Sequence, residues 1–181
     1  DYVVAPSGSC AGMIKAHYPE AFADDPRWLP RAEALAAKTY ELTGFLHDVM
    51  GVRAVPGKFE GIAAYHDSCS SLREMKVREQ PRALLGAVPG LALRELPGRD
   101  VCCGFGGTFC VKYPDVSNKI VGKKTENIAA SGAATLLAGD LGCLMNMAGK
   151  LSREGKEIRV RHIAEVLAGM GDEPAIGEPE Q

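Results

Sequence analysis

Hydrophobic positions along the chain form two alternating kinds of segment. Short apolar runs of strand length occur at residues 2–5, 61–65, 91–96, 133–138 and 157–161. Between them, apolar residues recur every three or four positions, the spacing of an amphipathic helix, at residues 10–17, 31–50, 71–76, 80–87, 115–131, 143–153 and 162–170. Strands that alternate with helices are typical of βα units around a mainly parallel sheet. The sequence therefore predicts an α/β fold.

The longest helical segment predicts one continuous core helix from Ala32 to Met50, because Gly51 follows as a natural stop. Several apolar residues fall near one face of this helix, namely Leu35, Leu42, Phe45, Leu46 and Val49. This spacing indicates that the face is buried in the core.

One arrangement of elements occurs twice. Residues 3–13 and residues 135–146 each contain a strand, a glycine-bearing turn, a cysteine (Cys10 or Cys143) and the start of a helix, and each leads to a later amphipathic helix. We therefore predict two pseudo-repeated βα units with mainly parallel sheets. The chain begins inside a predicted strand without an initiator methionine, so we expect the first unit to be truncated.

Composition narrows the functional classes. The 181 residues are 46% hydrophobic, enough for a sizeable core without stabilising disulfides. A formal charge of −2 with mixed signs predicts no nucleic-acid partner. No apolar run approaches the roughly 20 residues that span a bilayer, and no secretion signal is visible, so we expect a cytoplasmic protein that is not integral to a membrane. Six cysteines in a reducing compartment favour metal binding or redox chemistry.

The central motif is a pair of adjacent cysteines, Cys102 and Cys103, followed by Gly104, Gly106 and Gly107. Adjacent Cα atoms lie about 3.8 Å apart, closer than a relaxed disulfide requires, so the two thiols suit a soft metal better than each other. Glycines allow the backbone to approach an inorganic cluster and to turn N–H groups toward its sulfurs. The motif therefore predicts cofactor binding.

Two more cysteines stand where a predicted strand gives way to a helix. Thirty-two residues separate Cys69 from Cys102, and 39 separate Cys103 from Cys143. Because the carboxyl ends of parallel strands share one edge of a sheet, these loops can meet although they are distant in sequence. A helix N-terminus also favours the thiolate. We predict that Cys69, Cys102, Cys103 and Cys143 hold one metal cluster.

Several alternatives remain open at this point. The four cysteines could be ordinary buried side chains, a structural zinc site or, for Cys102 and Cys103, a redox-active dithiol. His66 is expected to orient the turn or to hydrogen-bond a cluster sulfur, with a nucleophilic pairing with Cys69 as the alternative. Cys110 is expected to be a small buried filler. The glycine loop departs from a dinucleotide fingerprint because its third glycine position falls on Phe109.

The longer motifs resemble a known family. They are the segments 65–69, 72–74, 102–109, 142–146 and 161–167, of which the first reads Tyr-His-Asp-Ser-Cys and the third Cys-Cys-Gly-Phe-Gly-Gly-Thr-Phe. This pattern is similar to the cysteine-rich (CCG-domain) proteins of the lactate-utilisation protein A type. That family is related to the heterodisulfide reductase B subunit and to the glycolate oxidase iron-sulfur subunit. The resemblance extends over the whole chain except the acidic C-terminal segment.

The resemblance implies a function and a cofactor. Such a protein would be an electron-transfer subunit in the oxidation of L-lactate to pyruvate, together with other iron-sulfur or dehydrogenase-like subunits. The close alternatives are an iron-sulfur subunit of glycolate oxidase and a heterodisulfide-reductase-like subunit. A zinc-stabilised interaction domain is the alternative from another class. In the full family pattern the last cysteine belongs to Cys-x-x-Cys, whereas Asn146 follows Cys143 here and Met13 follows Cys10. A [4Fe-4S] cluster with four thiolates is therefore preferred to the noncubane cluster of the heterodisulfide reductase relatives.

The resemblance also implies a division of the chain. Residues 1–55 would be the C-terminal part of the first CCG repeat, and residues 56–170 the second repeat with the cluster site. Cys10 would then be an orphan ligand, because its partner thiols belong to sequence before Asp1. The remaining residues, 171–181, are acidic and rich in proline and glycine. This composition predicts a disordered tail.

Overall fold

A computed structural model describes residues 1–178 as an α/β protein. Its strands are β1 (Val3–Ala5), β2 (Thr39–Glu41), β3 (Gly61–His66), β4 (Leu91–Glu95), β5 (Thr135–Ala138) and β6 (Arg159–His162). Its α-helices are α1 (Gly8–Gly12), α2 (Tyr18–Ala21), α3 (Leu29–Ala37), α4 (Leu42–Gly44), α5 (Cys69–Arg73), α6 (Glu79–Gly86), α7 (Phe109–Lys112), α8 (Pro114–Ala130), α9 (Leu141–Arg153) and α10 (Ile163–Ala168). Two π-helical segments, Met13–His17 and Phe45–Val49, continue α1 and α4. The predicted α/β class is confirmed.

The strands form two parallel sheets. The larger sheet has the order β4-β3-β5-β6, and the smaller one pairs β1 with β2. In the larger sheet the chain moves outward from β3 to β4 and then returns past β3 to begin β5. The order therefore reverses between β3 and β5, which is the place where open α/β sheets form a crevice at their carboxyl edge.

Alternate strand residues are buried against helices on opposite faces of the larger sheet. Ala64, Leu136 and Val160 pack with residues of α8 and α9. Tyr65 and Leu137 pack on the other face with residues of α6 and α10. Because both faces are covered, the strands are apolar at successive positions rather than at every second one, which explains the short continuous apolar runs in the sequence.

The predicted pseudo-repeat is present. The order β1-α1-β2-α4 in the first part of the chain corresponds to β5-α9-β6-α10 in the second, and both strand pairs are parallel. Within residues 1–50 only these counterparts of β5 and β6 are found. The truncation of the first unit and the boundary between the units at residue 55 stay predictions.

The continuous helix predicted from Ala32 to Met50 is wrong. Helix α3 ends at Ala37, and strand β2 follows at once and pairs with β1. Glu41 then begins α4, because its carboxylate accepts hydrogen bonds from the backbone N–H groups of Thr43 at 2.8 Å and Gly44 at 3.0 Å. The backbone groups of β2 form hydrogen bonds with β1, and the side chain of Glu41 caps α4, so these groups are satisfied without a continuous helix. This pairing outweighs the helical spacing of the apolar residues.

The start of the C-terminal segment contacts strand β6. The backbone N–H of Ile176 donates to the carbonyl of Val160 at 2.9 Å, and Ala175 is buried. The guanidinium of Arg161 also donates to the carbonyl of Glu173. These contacts hold residues 173–176 against β6, and residues 179–181 lie outside the described part of the chain. Among residues 1–178, no helix is both long and apolar enough to cross a membrane.

Candidate metal centre

The carboxyl edge of the larger sheet gathers three cysteine-bearing loops. Cys69 opens α5 directly after β3, Cys102 and Cys103 lie in the loop after β4, and Cys143 lies in the first turn of α9 after β5. Strands β3 and β5 are neighbours on either side of the point where the strand order reverses. The thiols therefore lie at the edge of the sheet where open α/β folds typically bind their ligands.

The thiols are close enough to alter one another's acidity. The thiol of Cys102, followed by burial, raises the pKa of Cys69 above its usual range. Hydrogen bonding with Cys102 lowers the pKa of Cys103, but the Cys143 thiol and burial outweigh it and raise that pKa to about 12. Without a cation, Cys69 and Cys103 therefore favour the neutral thiol. Binding of a metal would replace their protons, as thiolate ligation requires.

His66 completes a tight group with two of these thiols. One ligand atom from each of His66, Cys103 and Cys143 lies within 4.8 Å of the others, and all three residues are buried. The side chain of His66 is 0% exposed, and neither ring nitrogen has a hydrogen-bond partner among the described residues. Burial, aided by the charge of Lys124, lowers the pKa of His66 to about 3 and keeps the ring neutral.

An unpartnered buried imidazole beside thiols fits a bound metal. Buried polar atoms without partners are rare in folded proteins because they lose water without compensation. A neutral imidazole nitrogen and thiolate sulfurs are ligands for zinc, and thiolates hold iron-sulfur clusters. The donor set at this edge therefore fits a soft metal centre, and His66 lies where its nitrogen can contact that centre.

The helices that follow β3 and β5 are capped at the site. Ser68 caps α5 through a hydrogen bond from the N–H of Ser71 at 3.2 Å. Asp140 caps α9 by accepting from the N–H of Cys143 at 3.5 Å, and it also accepts from Ser9 of the first unit at 3.0 Å. These caps fix the first turns from which Cys69 and Cys143 project.

The glycine loop bends tightly around the cysteine pair. Gly104, Gly106 and Gly107 all have positive φ, between 53° and 85°. The N–H of Gly104 donates to the sulfur of Cys102 at 3.3 Å. A Cβ on Gly104 would lie 2.8 Å from the carbonyl oxygen of Ser117, so α8 leaves no room for a side chain. The loop thus turns a backbone N–H donor toward a cysteine sulfur, while its predicted contact with the sulfurs of a cluster stays a prediction.

The backbone of Cys103 is hydrogen-bonded to a side-chain amide of helix α9. The Nδ2 of Asn146 donates to the Cys103 carbonyl at 3.0 Å. Asn146 occupies the position at which the Cys-x-x-Cys pattern has its second cysteine, and here its side chain positions the backbone of a thiol-bearing residue. This role could not be predicted from the sequence, in which Asn146 marks only a departure from the pattern.

An ion pair secures the loop between His66 and Cys69. The carboxylate of Asp67 accepts two hydrogen bonds from Arg82 of α6, at 2.9 and 2.7 Å. Arg82 also donates to Glu95 at the end of β4, which lowers the pKa of Glu95 to about 2. Sequence reasoning missed this bidentate pair because Arg82 is a distant charged residue on an otherwise ordinary helix.

Two cysteines, the expected orphan ligand Cys10 and the expected filler Cys110, lie outside the loops that hold the four candidate ligands. The Cys110 thiol donates to the carbonyl of Gly107 at 3.1 Å, and Cys10 is exposed on α1. Within residues 1–178, neither thiol forms a hydrogen bond with another cysteine. All six cysteines are free.

Known proteins match the chain over most of its length. Residues 63–148 match the family of the cysteine-rich domain CCG. Lactate utilization protein A of Lysinibacillus sphaericus is 52% identical over 92% of this chain and 73% of that protein. The proteins of that name from Bacillus subtilis and Oceanobacillus iheyensis are 48% and 47% identical over 92% of this chain, and the match covers 70% and 68% of their own lengths. At this identity and coverage, the chain belongs to the lactate utilization protein A family, and its matched cysteine-rich domain contains the four thiols of the candidate site.

Proposed function

We propose that the protein binds an iron-sulfur cluster through Cys69, Cys102, Cys103 and Cys143 and relays electrons in the oxidation of lactate. The observation that carries this proposal is the convergence of four free thiols at the reversal point of one parallel sheet, beside a buried His66 without a partner. When bound, an iron-sulfur cluster accepts and donates single electrons.

The residues around the thiols suit an anionic group. The N–H of Gly104 already donates to the Cys102 sulfur, and N–H donors at cluster sulfurs stabilise negative charge and raise the reduction potential. Cys143 lies in the first turn of the 13-residue helix α9, where the positive end of the helix dipole is favourable for a bound anionic group. Burial of Cys103 and Cys143 keeps water from the inner side of the site.

Four thiolates favour a [4Fe-4S] cluster of ordinary stoichiometry. Zinc is the second candidate, because one nitrogen of His66 lies within 4.8 Å of two sulfurs, which is compatible with a mixed cysteine-histidine zinc site. A zinc site would leave Cys69 and Cys102 as weaker contributors and would give the domain a structural rather than a redox role.

The substrate class is proposed from the names of the relatives. Proteins named lactate utilization protein A share about half of their residues with this chain. We propose that the cluster serves the oxidation of L-lactate to pyruvate, with glycolate as the alternative 2-hydroxy acid. Removing a hydride equivalent from lactate requires an organic cofactor such as a flavin or nicotinamide. We therefore expect partner subunits, iron-sulfur or dehydrogenase-like, to perform that step, with this chain as the relay.

Anaerobic reconstitution with iron and sulfide tests the ligand set. We expect bound iron and acid-labile sulfide, absorption in the visible range, and an EPR signal on reduction. Serine in place of Cys69, Cys102, Cys103 or Cys143 is expected to remove most of the iron. The matched controls, Cys110→Ser and Cys10→Ser, are expected to retain it. Stoichiometric zinc without sulfide would refute the cluster and support the zinc alternative.

Lactate-dependent dye reduction tests the relay. We expect activity only when the chain is combined with its partner subunits, and we expect Cys103→Ser to remove that activity while Cys110→Ser keeps it. Lactate oxidation by the purified chain alone would show that it is a catalytic subunit. Equal activity with glycolate would identify the alternative substrate.

A further inference from the structure

A lysine is buried beside the cysteine pair. Lys124 projects from the inner face of α8 and is 1% exposed. Its ammonium donates to the carbonyls of Gly98, Arg99 and Val101 at 2.9, 3.0 and 3.0 Å. These three residues form the segment that leads directly into Cys102. One side chain therefore fixes the backbone that presents the cysteine pair.

The hydrogen bonds identify the charge state of this lysine. A protonated amine has three N–H donors, whereas a neutral amine has two and a lone pair that would repel a third carbonyl. Three carbonyl acceptors at hydrogen-bond distance therefore require the ammonium form. Burial lowers the pKa of Lys124, but Cys103 and Asp67 raise it in part. The result is a positive charge held in a fixed position inside the protein.

No carboxylate neutralises this charge directly. Among residues 1–178, Lys124 takes part in no ion pair, and the nearby Asp67 is bound by Arg82. A buried charge that has hydrogen bonds but no counterion is costly. The thiols of Cys103 and Cys102 are near enough to influence the pKa of Lys124, and Lys124 in turn lowers the pKa of His66. The groups close to the ammonium are thus those of the candidate metal centre.

We propose that Lys124 is the buried countercharge of the anionic cluster and a positioning residue for its cysteine loop, an inference that rests on the proposed cluster. A cluster with four thiolate ligands is negatively charged and gains one more negative charge on reduction. A fixed positive charge in a low-dielectric interior stabilises the reduced form more than the oxidised form. Lys124 therefore raises the reduction potential and favours acceptance of an electron from a partner.

Redox titration of reconstituted variants tests this role. Lys124→Gln removes the charge but keeps an amide donor, and Lys123→Gln removes the same charge from the exposed side of the same helix as a matched control. At the wild-type midpoint potential, we expect the reduced-to-oxidised ratio of Lys124→Gln to fall at least tenfold, which corresponds to about 59 mV for one electron. The control is expected to change this ratio less than twofold.

The midpoint potential measured at high ionic strength distinguishes the effect of a buried charge from that of a surface charge. We expect the shift in Lys124→Gln to persist at 1 M salt, where the Debye length is about 3 Å and surface charges are screened. A purely structural role for Lys124 would lower thermal stability without changing the midpoint potential.

Each outcome decides a different claim. If the wild-type chain holds no iron and sulfide, the proposed function is wrong, and this inference falls with it. If Lys124→Gln retains the cluster at the wild-type potential, the countercharge is refuted while the proposed function stands. If Lys124→Gln cannot hold iron, the Lys124→Arg variant distinguishes the two explanations. A cluster bound by Lys124→Arg with a midpoint potential close to wild type supports the need for a positive charge, and failure of Lys124→Arg to bind a cluster refutes it.

Discussion

Replacement of Arg82 by methionine is expected to destabilise the protein strongly, because it leaves a buried carboxylate without its partner. The Asp67 side chain is 2% exposed, and its two oxygens receive hydrogen bonds of 2.9 and 2.7 Å from Arg82, whose side chain is 12% exposed. Removing one member of a buried ion pair costs about 3–5 kcal/mol. Methionine preserves most of the apolar stem of arginine, so the loss reports the charge and its hydrogen bonds.

Thermal and urea unfolding of the metal-free protein measure this cost. For a chain of this size, each kcal/mol lowers Tm by roughly 2–4 °C, so Arg82→Met is expected to lower Tm by about 6–20 °C. Glu95→Gln is the matched control, since Glu95 is the other partner of Arg82 but is 43% exposed. Loss of an exposed ion pair is worth less than about 1 kcal/mol.

A double-mutant cycle isolates the pair. In an Asp67→Asn background the buried charge is already absent, so Arg82→Met is expected to cost at least about 1 kcal/mol less than in the wild type, within the range of couplings between contacting residues. Arg82→Met should also retain less iron after reconstitution, because Asp67 stands between His66 and Cys69. The ion pair does not secure the loop if Arg82→Met lowers the free energy of unfolding no more than Glu95→Gln does. The same conclusion follows if the effects of Arg82→Met and Asp67→Asn are additive.

The folded protein holds His66 neutral with a pKa of about 3, against an ordinary value of 6.5. The neutral state of His66 therefore stabilises the fold fully above pH 6.5, and this stabilisation is lost as the pH falls toward 3. The free energy of unfolding of the metal-free protein, measured with urea, should fall by about 2 kcal/mol between pH 7.5 and 5. The His66→Gln variant should lack this pH dependence, and an unchanged slope would refute the prediction. A Cβ at Gly142 would lie 2.5 Å from the ring of Phe105. Gly142→Ala should therefore displace that ring and reduce the iron retained after reconstitution. The control Gly86→Ala places its Cβ where no atom lies within 4 Å, so it should retain as much iron as the wild type. Equal iron in the two glycine variants would contradict the packing argument.

The alternation of strands and helices could be predicted from the sequence because it is a local property. Apolar runs at β3, β4, β5 and β6 and the spacing of α8 and α9 depend on residues a few positions apart. The local prediction failed within residues 32–50, where the apolar spacing continues across β2. Pairing of β2 with β1 joins segments 36 residues apart, and no local pattern records such a contact.

The candidate site was predictable only as far as cysteines at strand ends. Parallel strands bring their carboxyl ends to one edge whatever their order, so Cys69, Cys102, Cys103 and Cys143 could be expected to meet. The order β4-β3-β5-β6 decides which side chains are neighbours, and it places His66 against Cys103 and Cys143.

The α/β class, the pseudo-repeat and the family could be predicted from the amino-acid sequence alone, because they depend on periodicity and on motifs with short spacing. The folded chain was needed to show that both ring nitrogens of the buried His66 lack a hydrogen-bond partner within residues 1–178, that Arg82 binds Asp67, and that Lys124 holds the cysteine loop. The sequence contained one sign of the last contact: Lys124 falls between Val121 and Ile128 on the buried face of α8. A charged residue on such a face needs partners, and only folding brings together the three carbonyl groups that bind it.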